Sequence, residues 1–323
     1  MERFDLFRDI AERTGGDIYI GVVGPVRAGK STFVKKFMEH IVLPNIPDQN
    51  DRNRAKDELP QSGAGKTITT AEPKFIPNEA VEITIKENIK FRVRLVDNVG
   101  FTVRGALGYE DQDGNPRMVS TPWFDKEISF QEAAEIGTRK VIEDHSTIGL
   151  VVTTDGSITD IPRESYVQAE ERVINELKAI GKPFIIILNT TKPNDERTRD
   201  IKEILETKYD VPVIPTDCQG LEPADIYSIL EEVLYEFPVM EVNVNIPKWV
   251  EALENKHWLR TKFEEAIKET LKDIRRLRDM ERTLEMFKDY DFMEKVILKE
   301  MNLGIGTAEI TIDAKKDLFF NVL

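Results

Sequence analysis

One octapeptide near the start of the chain restricts the possible folds more than any other feature. Residues 24–31 read Gly-Pro-Val-Arg-Ala-Gly-Lys-Ser, which is a glycine, four residues and then Gly-Lys-Ser. A short apolar run of strand type, residues 18–23, comes before it, and residues 33–40 have the composition of a helix. A strand, a glycine-rich turn and a helix in this order arrange backbone N–H groups and a helix N-terminus around an anion. The pattern therefore predicts a phosphate-binding loop.

The residues of this loop have separate expected roles in holding a nucleoside triphosphate. Lys30 is expected to reach the β- and γ-phosphates, and Ser31 is expected to coordinate Mg²⁺. Further contacts to the nucleotide are expected from Gly24, Arg27, Ala28, Gly29 and Thr32. A second stretch, residues 63–67, reads Gly-Ala-Gly-Lys-Thr, but Pro60 replaces its first glycine and no strand precedes it. We do not interpret this second stretch as a phosphate-binding loop.

Two further segments are expected to complete the phosphate site. Asp97 ends the predicted strand 91–96, where a carboxylate holds Mg²⁺ through water, and the N–H of Gly100 can contact the γ-phosphate. In P-loop enzymes that respond to the γ-phosphate, the loop after the first helix supplies a threonine to Mg²⁺. Thr70 is the expected residue and Thr69 the second choice; the alternative is that both are ordinary strand threonines. The predicted catalytic residues are Lys30, Thr70, Asp97 and Gly100, and the predicted metal ligands are Ser31, Thr70 and Asp97.

The residue after Gly100 departs from the usual pattern of GTPases. Many of them carry a glutamine there, which orients the attacking water, whereas this chain has Phe101. Phenylalanine cannot orient water, so either another residue does so or intrinsic hydrolysis is slow. Arg27 and Arg104 are candidates for stabilising charge in the transition state, and for each the alternative is a bystander role.

The predicted base-binding segment also departs from the guanine-binding pattern Asn-Lys-x-Asp, in which the aspartate accepts hydrogen bonds from guanine. After the predicted strand 184–188, the nearest match is residues 191–194, Thr-Lys-Pro-Asn. This change favours ATP, with Thr191, Lys192 and Asn194 near the base, while Asp195, one residue later, leaves GTP open. Residues 215–220 correspond in position to the last loop that contacts the base in GTPases of this fold. Cys218 is therefore expected either near the base or in the core.

Strand and helix patterns alternate through the first 237 residues, with helices expected at 1–13, 131–144, 164–179, 196–208 and 224–235. Short apolar runs between them indicate strands at 81–86, 91–96, 148–152, 184–188 and 211–214. Such alternation predicts an α/β fold, a GTPase-like P-loop NTPase whose mostly parallel sheet is covered by helices on both faces. Residues 44–66 are expected to form a loop with one short helix, and residues 105–121 a mobile insertion.

A second domain, smaller, helix-rich and of α+β type, is expected at residues 238–323. Residues 239–246 resemble a strand, and a long amphipathic helical region follows, with apolar residues every three or four positions from Phe263 to Phe287. The segments 308–312 and 318–323 resemble strands. The apolar end of the sequence suggests that the chain continues further in a longer protein.

Composition excludes several functional classes. The 323-residue chain has a formal net charge of −14, which disfavours nonspecific binding to nucleic acid. It has no apolar run of about 20 residues and no signal-peptide pattern, so a cytoplasmic location is expected. A single cysteine excludes an internal disulfide and a cysteine metal cluster.

Three stretches together carry a resemblance to a known family: residues 7–19, residues 24–32, and residues 59–67 with the sequence Leu-Pro-Gln-Ser-Gly-Ala-Gly-Lys-Thr. Over essentially the whole chain, the sequence resembles the stage IV sporulation protein A family, the morphogenetic ATPases of endospore-forming bacteria. The resemblance implies a translation-factor-like GTPase fold adapted to ATP. It also implies that the phosphate-binding lysine is Lys30, the acidic magnesium residue Asp97 and the sensor threonine Thr70.

The resemblance further implies a cellular role. Family members use ATP hydrolysis to assemble into a static homopolymer, the basement layer of the spore coat, on the forespore surface in the mother-cell cytoplasm. The implied partners are other copies of the chain, a small amphipathic membrane-anchored peptide and spore coat proteins, with only indirect membrane contact or contact through a further C-terminal region.

Two other functional classes remain open at this stage. A regulatory GTPase switch would use the same elements and differ in base selectivity. A structural protein with a permanently bound nucleotide would keep the fold, but a complete set of Lys30, Ser31 and Asp97 argues against it.

Overall fold

A computed structural model describes residues 3–60, 73–85, 89–106, 110, 115–121 and 124–322. The predicted threonines Thr69 and Thr70, and the second glycine-rich stretch at 63–67, lie outside the described residues. The chain divides into two compact units, residues 1–233 and residues 234–323, each described separately below.

The first unit alternates helices and strands along most of its length. In chain order the elements are α1 (Arg3–Thr14), β1 (Asp17–Val23), α2 (Lys30–Phe37), α3 (Gln49–Asp57), β2 (Lys74–Ile85), β3 (Ile89–Asp97), β4 (Met118–Thr121), β5 (Phe124–Ser129), α4 (Phe130–His145), β6 (Ile148–Thr154), α5 (Val167–Ile180), β7 (Phe184–Asn189), α6 (Glu196–Tyr209), β8 (Val213–Thr216) and α7 (Pro223–Tyr235), whose last residues belong to the second unit.

Six strands form the central sheet in the order β2-β3-β1-β6-β7-β8. The pairs β1–β3, β1–β6, β6–β7 and β7–β8 are parallel, and only β2 at one edge of this sheet runs antiparallel to its neighbour. This arrangement confirms the predicted α/β class with a mostly parallel sheet. It also brings the C-terminal ends of β1, β3, β6 and β7 to one edge, where ligands bind in open sheets of this kind.

The two strands β6 and β7 show that both faces of the sheet are covered. Every residue of each strand is buried, and both are rich in the β-branched residues Val, Ile and Thr. Alternate side chains of a strand point to opposite faces, so a strand buried at every position has protein on both sides.

Local signals at the helix ends explain where the flanking helices begin and stop. Ser129 caps α4 by accepting a hydrogen bond from the N–H of Glu132, and Asp195 caps α6 by accepting one from the N–H of Glu196. Helix α5 ends at Gly181, whose φ of 74° is the left-handed conformation that glycine adopts without steric cost.

Part of the segment predicted as an insertion at 105–121 belongs to a hairpin. Strand β4 pairs antiparallel with β5. Val119 and Ile128, one from each strand, pack with Phe130, the first residue of α4. This apolar contact explains why the end of a Gly- and Asp-rich segment forms regular structure.

The second unit combines helices with a small sheet. Its elements are β9 (Glu241–Asn245), α8 (Lys248–Glu251), α9 (Trp258–Leu271), α10 (Asp279–Met286), β10 (Met293–Asn302), β11 (Thr307–Ala314) and α11 (Lys316–Val322). The three strands lie in the order β10-β11-β9, with β10 antiparallel and β9 parallel to β11. The predicted smaller α+β domain is therefore confirmed in its class.

The predicted long helical region of this unit is interrupted between α9 and α10. The N–H groups of Leu277 and Arg278 donate to the carbonyls of Phe237 and Tyr235 rather than to the preceding helical turn. Arg276 and Arg278 both pair with the buried carboxylate of Glu236, at 3.1 and 2.8 Å. These contacts to a segment about 40 positions earlier stop the helix although the apolar spacing continues.

One other local prediction for this unit is wrong, and one strand was not predicted. Residues 316–322 form the helix α11 and not a strand, and Phe319 packs edge-on against Trp249. Strand β10 was not predicted, because its charged residues obscure the alternation. It pairs along most of its length with β11, which was predicted over residues 308–312.

A buried ion pair fixes the start of α5 against the sheet. Glu170 is 1 % and Arg163 11 % exposed at their side chains, and their closest atoms are 2.6 Å apart. A second bond of 2.9 Å joins Arg163 Nη2 to Glu170 Oε1, and the hydroxyl of Thr153 on β6 donates to Glu170 Oε2 at 2.6 Å. Both oxygens of the Glu170 carboxylate therefore accept hydrogen bonds, and these bonds connect the end of β6 to α5.

We expect Glu170→Ala to lower the free energy of unfolding by about 3–5 kcal/mol, because it leaves the Arg163 guanidinium buried without its partner. The matched control is Glu171→Ala on the same helix, since Glu171 pairs with Lys208 at half-exposed positions and its loss costs about 0–1 kcal/mol. Urea unfolding of both variants measures the difference. Equal destabilisation of the two would contradict the role assigned to the buried pair.

Candidate nucleotide-binding site

The loop between β1 and α2 has a backbone that only glycine permits at its two ends. Gly24 has φ of 143°, and a Cβ there would collide with the carbonyl oxygen of Val152 on β6. Gly29 has φ of 98°, immediately before α2, and a Cβ there would collide with the side-chain amide of Asn189. The glycines therefore let the loop lie directly against the ends of β6 and β7.

The segment after β3 is joined to this loop through main-chain hydrogen bonds. Phe101 donates its N–H to the carbonyl of Gly24 at 3.2 Å, and Val26 donates to the carbonyl of Phe101 at 2.8 Å. Gly100 has φ of 88°, and a Cβ at this position would meet Gly24 O and Lys30 Nζ. Three predicted residues, Gly24, Lys30 and Gly100, therefore lie in contact.

Lys30 is a buried ammonium group whose present partners are loop carbonyls. Its Nζ donates to Pro25 O at 2.6 Å and to Gly24 O at 3.3 Å, and the residue is only 4 % exposed. Burial lowers the pKa of Lys30 from its ordinary 10.5 to about 8, against the opposing attraction of Asp97. Burial disfavours the charged form of Lys30, and a buried positive charge of this kind is typical of a site that binds an anion.

Asp97 and Ser31 form the oxygen-rich side of the site. The Ser31 hydroxyl donates to Asp97 Oδ2 at 2.6 Å. Asp97 is 8 % exposed, and its buried Oδ1 has no hydrogen-bond partner in the part of the chain that the structure describes. Burial raises the pKa of Asp97, while the Ser31 hydrogen bond and the charge of Lys30 act in the opposite direction.

This arrangement fits a magnesium ion bound together with phosphate. Mg²⁺ prefers oxygen ligands and in nucleotide sites uses one or two protein oxygens with phosphates and water. The paired Ser31 and Asp97 oxygens, one of them unpartnered and buried, are of this type. Among the described residues no group of three or more His, Cys, Asp or Glu side chains is placed to hold a metal by itself.

The other predicted residues around the phosphates have varied surroundings. Ala28 is buried, whereas Thr32, in the first turn of α2, is partly buried. Arg27 is half-buried and has φ of 61°, an uncommon conformation for a residue with a side chain. Arg104 is exposed. Phe101 is fully buried in the core of the first unit, with the guanidinium of Arg172 5.2 Å above its ring.

The predicted base-binding residues lie in a turn after β7, and all three, Thr191, Lys192 and Asn194, are exposed. Asn189, which precedes them at the end of β7, contacts the loop of residues 24–31, and the sequence analysis did not predict this contact. Its Nδ2 donates to Ala28 O at 2.9 Å, and its Oδ1 accepts from the N–H of Cys218 at 3.1 Å. The sequence feature that could have identified Asn189 is its position as the last residue of an apolar strand.

Cys218 is packed in the interior. Its side chain has no exposed surface, and burial raises the pKa of its thiol, which keeps it protonated. The sequence placed Cys218 either near the base or in the core, and its side chain lies in the core. Its backbone N–H donates to the side chain of Asn189.

A second missed group, Asp155, follows β6 beside this network. Its Oδ2 accepts from the Thr190 hydroxyl at 2.7 Å, and its Oδ1 accepts from the N–H and hydroxyl of Ser157 at 2.9 and 2.6 Å. Burial acts to raise its pKa, but these hydrogen bonds prevail and the pKa of Asp155 is lowered. The ionised carboxylate therefore links the turns after β6 and β7.

Comparison with known families adds an independent observation to this geometry. Residues 1–238 match the family model described as Stage IV sporulation protein A, ATPase domain, and residues 239–323 match that of the middle domain of the same protein. The chain belongs to the stage IV sporulation protein A family. The resemblance seen in the sequence is thereby confirmed, and the first unit belongs to an ATPase domain family connected with sporulation.

Individual members of the family are similar along the whole chain. Stage IV sporulation protein A of Bacillus anthracis is 56 % identical over 323 residues, and that of Bacillus subtilis (strain 168) is 55 % identical over 323 residues. The protein from Clostridioides difficile (strain 630) is 51 % identical over 319 residues, 99 % of this chain. The chain spans 65 % of the length of each of these relatives. No helix in the described ranges has the length and apolar character needed to cross a membrane.

We expect Lys30→Met to raise the free energy of unfolding of the nucleotide-free protein by about 1–2 kcal/mol at pH 7, because it removes a buried charge. The folded pKa of Lys30 is about 8 and its ordinary value is 10.5, so the unfolded wild type binds more protons between these pH values. The wild type therefore gains stability relative to the variant as the pH rises through this window, and the difference shrinks.

Urea unfolding at pH 7, 8.5 and 10 measures this effect. Lys35→Met is the matched control, because Lys35 lies on the same helix with 39 % of its side chain exposed, and it should change stability little at any pH. A Lys30→Met variant that is less stable than the wild type, or a difference independent of pH, would contradict the account of Lys30.

Proposed function

We propose that this chain is a Mg²⁺-dependent P-loop ATPase whose hydrolysis of ATP drives a conformational change and self-assembly. The observation that carries the proposal is the meeting of Lys30, Ser31, Asp97 and Gly100 around the loop that follows β1. The match to an ATPase domain family over residues 1–238 supports it.

Each residue has a role in this proposal that its surroundings support. The Lys30 ammonium exchanges its loop carbonyls for the β- and γ-phosphates, and the Gly100 N–H donates to the γ-phosphate. Ser31 and Asp97 would hold Mg²⁺, which when bound neutralises charge on the phosphates. Asp97 has to be ionised for this role, and the neighbouring Lys30 charge favours that form. Thr70, outside the described residues, is the proposed sensor of the γ-phosphate.

Slow turnover is part of the proposal. The position that often carries a water-orienting glutamine holds Phe101, whose ring is buried in the core and whose backbone is bonded to Gly24 and Val26. The buried phenyl ring has no polar atom with which to position water, so intrinsic hydrolysis lacks one common contribution. A slow ATPase suits one hydrolysis event per assembly step better than continuous metabolic turnover.

The cellular role is proposed from the family. The relatives carry the name of a sporulation protein. We propose a static homopolymer that forms the spore coat basement layer on the forespore surface, facing the mother-cell cytoplasm. The proposed partners are further copies of the chain, a small amphipathic membrane-anchored peptide and coat proteins, without nucleic acid.

A regulatory GTPase is the alternative function, and its support in the sequence was Asp195. In the structure Asp195 caps α6, with its Oδ1 accepting from the N–H of Glu196 at 3.1 Å. A carboxylate used as a helix cap is directed to its own helix terminus, which disfavours a second role in reading guanine.

Side-by-side hydrolysis of ATP and GTP with Mg²⁺, on the wild type, Lys30→Ala and the surface control Lys35→Ala, tests the proposal. We expect ATP turnover well below the ~10 s⁻¹ typical of enzymes, lost in Lys30→Ala and kept in the control. Sedimentation in the same samples should show ATP-dependent assembly of the wild type and of Lys35→Ala, but not of Lys30→Ala. A preference for GTP would favour the regulatory GTPase over the ATPase. A turnover of hundreds per second would contradict an ATPase that hydrolyses one ATP per assembly step. Unchanged nucleotide binding and assembly by Lys30→Ala would favour a structural role.

A further inference from the structure

The hydrogen bonds of Asn189 indicate how the residues after β7 align with the base-reading pattern. Asn189 joins three segments, because it bonds to the phosphate loop at Ala28 and to the loop after β8 at Cys218. The Asn-Lys-x-Asp pattern follows a late strand, and Asn189 ends β7 in contact with the loop of residues 24–31, so we take Asn189 as its first position. Counted from it, the four residues are Asn189, Thr190, Thr191 and Lys192. The frame is therefore two residues earlier than the match at 191–194, and lysine has the place of the guanine-reading aspartate.

The backbone of Lys192 is held on both sides. Its N–H donates to the Thr190 hydroxyl at 3.1 Å, and Thr190 in turn donates to the buried Asp155. Its carbonyl accepts from the Thr198 hydroxyl at 3.0 Å and from the N–H of Asp195 at 3.1 Å. A residue fixed in this way presents its side chain from a constant position.

The ammonium of Lys192 is available for a ligand. The residue is exposed, and among the described residues its Nζ takes part in no hydrogen bond or ion pair. The neighbouring residue Thr190, by contrast, is fully buried and satisfied by Asp155. Of the positions that follow Asn189 in the frame, Lys192 is the one with a charged donor group, whereas the exposed Thr191 has a hydroxyl, which both donates and accepts.

The two purines differ at the edge that this position would face. Guanine presents the N1–H and the N2 amino group, which are both donors, whereas adenine presents N1 as an acceptor. A lysine ammonium has three donors and no acceptor, so it complements adenine N1 and opposes guanine. An aspartate at the same position has the reverse preference.

We propose that Lys192 Nζ donates a hydrogen bond to N1 of adenine and thereby selects ATP over GTP. The inference rests on the proposed ATPase function and adds the residue and the base atom that determine specificity. Thr190 and Asp155 act as positioning residues, because they hold the Lys192 backbone and do not touch the base.

Equilibrium binding of ATP and 1-deaza-ATP, in which a C–H replaces N1 and the amino group is kept, tests the proposed contact. The wild type should bind ATP about 10-fold or more tightly than 1-deaza-ATP, as expected for one hydrogen bond to a charged donor. Lys192→Met should bind both nucleotides alike, at the level of the wild type with 1-deaza-ATP. The control is Lys202→Met, at a lysine of α6 whose side chain is 39 % exposed, and it should keep the wild-type ratio.

Lys192→Asp provides the second variant. It should shift the ATP-to-GTP affinity ratio toward GTP by about 10-fold or more, because the aspartate accepts from guanine N1–H and the N2 amino group. An unchanged ratio of ATP to 1-deaza-ATP in Lys192→Met, with ATP still bound, would overturn the assignment of Lys192 and leave the ATPase proposal intact. A wild type that binds no ATP, with or without these changes, would instead overturn the proposed function.

Discussion

The close backbone contact between the phosphate loop and its neighbouring strands is the constraint on which the site depends. Gly24 lies against the carbonyl of Val152 and bonds to Phe101, and Gly29 lies against Asn189. A side chain at either glycine would separate the loop from β6 or β7. The register of β1 and β3 places Asp97 beside Val22, at the end of β1 from which the loop begins.

Opposite buried charges are the second element of this design. Lys30 and Asp97 are each held in an interior that disfavours their charged forms, and each lessens the effect of burial on the pKa of the other. Buried groups whose pKa is shifted by burial and by a neighbouring charge cluster at functional sites. Here they make a compact site ready to exchange internal hydrogen bonds for those of a phosphate ligand.

Short-range patterns made much of the first unit predictable. The loop of residues 24–31 is contiguous in sequence, and the alternation of apolar strands and amphipathic helices was sufficient to predict the α/β class and the mostly parallel sheet. The contact of Asn189 with the loop of residues 24–31 was not predictable in this way. Asn189 bonds to a residue 161 positions away, whereas the sequence match at 191–194 rested on local similarity alone.

The second unit shows the same limit. Helix spacing continues across residues 272–278, yet Glu236 and the carbonyls of Tyr235 and Phe237 draw this segment out of helical geometry. Strand β10 is recognisable only through its pairing with β11, and α11 through the packing of Phe319 on Trp249. Each of these features depends on a partner far along the chain, which single-sequence periodicity does not contain.

The central claim is that Ser31 and Asp97 form a magnesium site that operates together with a bound nucleotide. Calorimetric titration with ATP, in Mg²⁺ and in excess chelator, tests it most directly on the wild type and on Asp97→Asn. The account predicts that Mg²⁺ tightens ATP binding to the wild type by about 10-fold or more, and that Asp97→Asn loses most of this gain. An equal effect of Mg²⁺ on both proteins would contradict it.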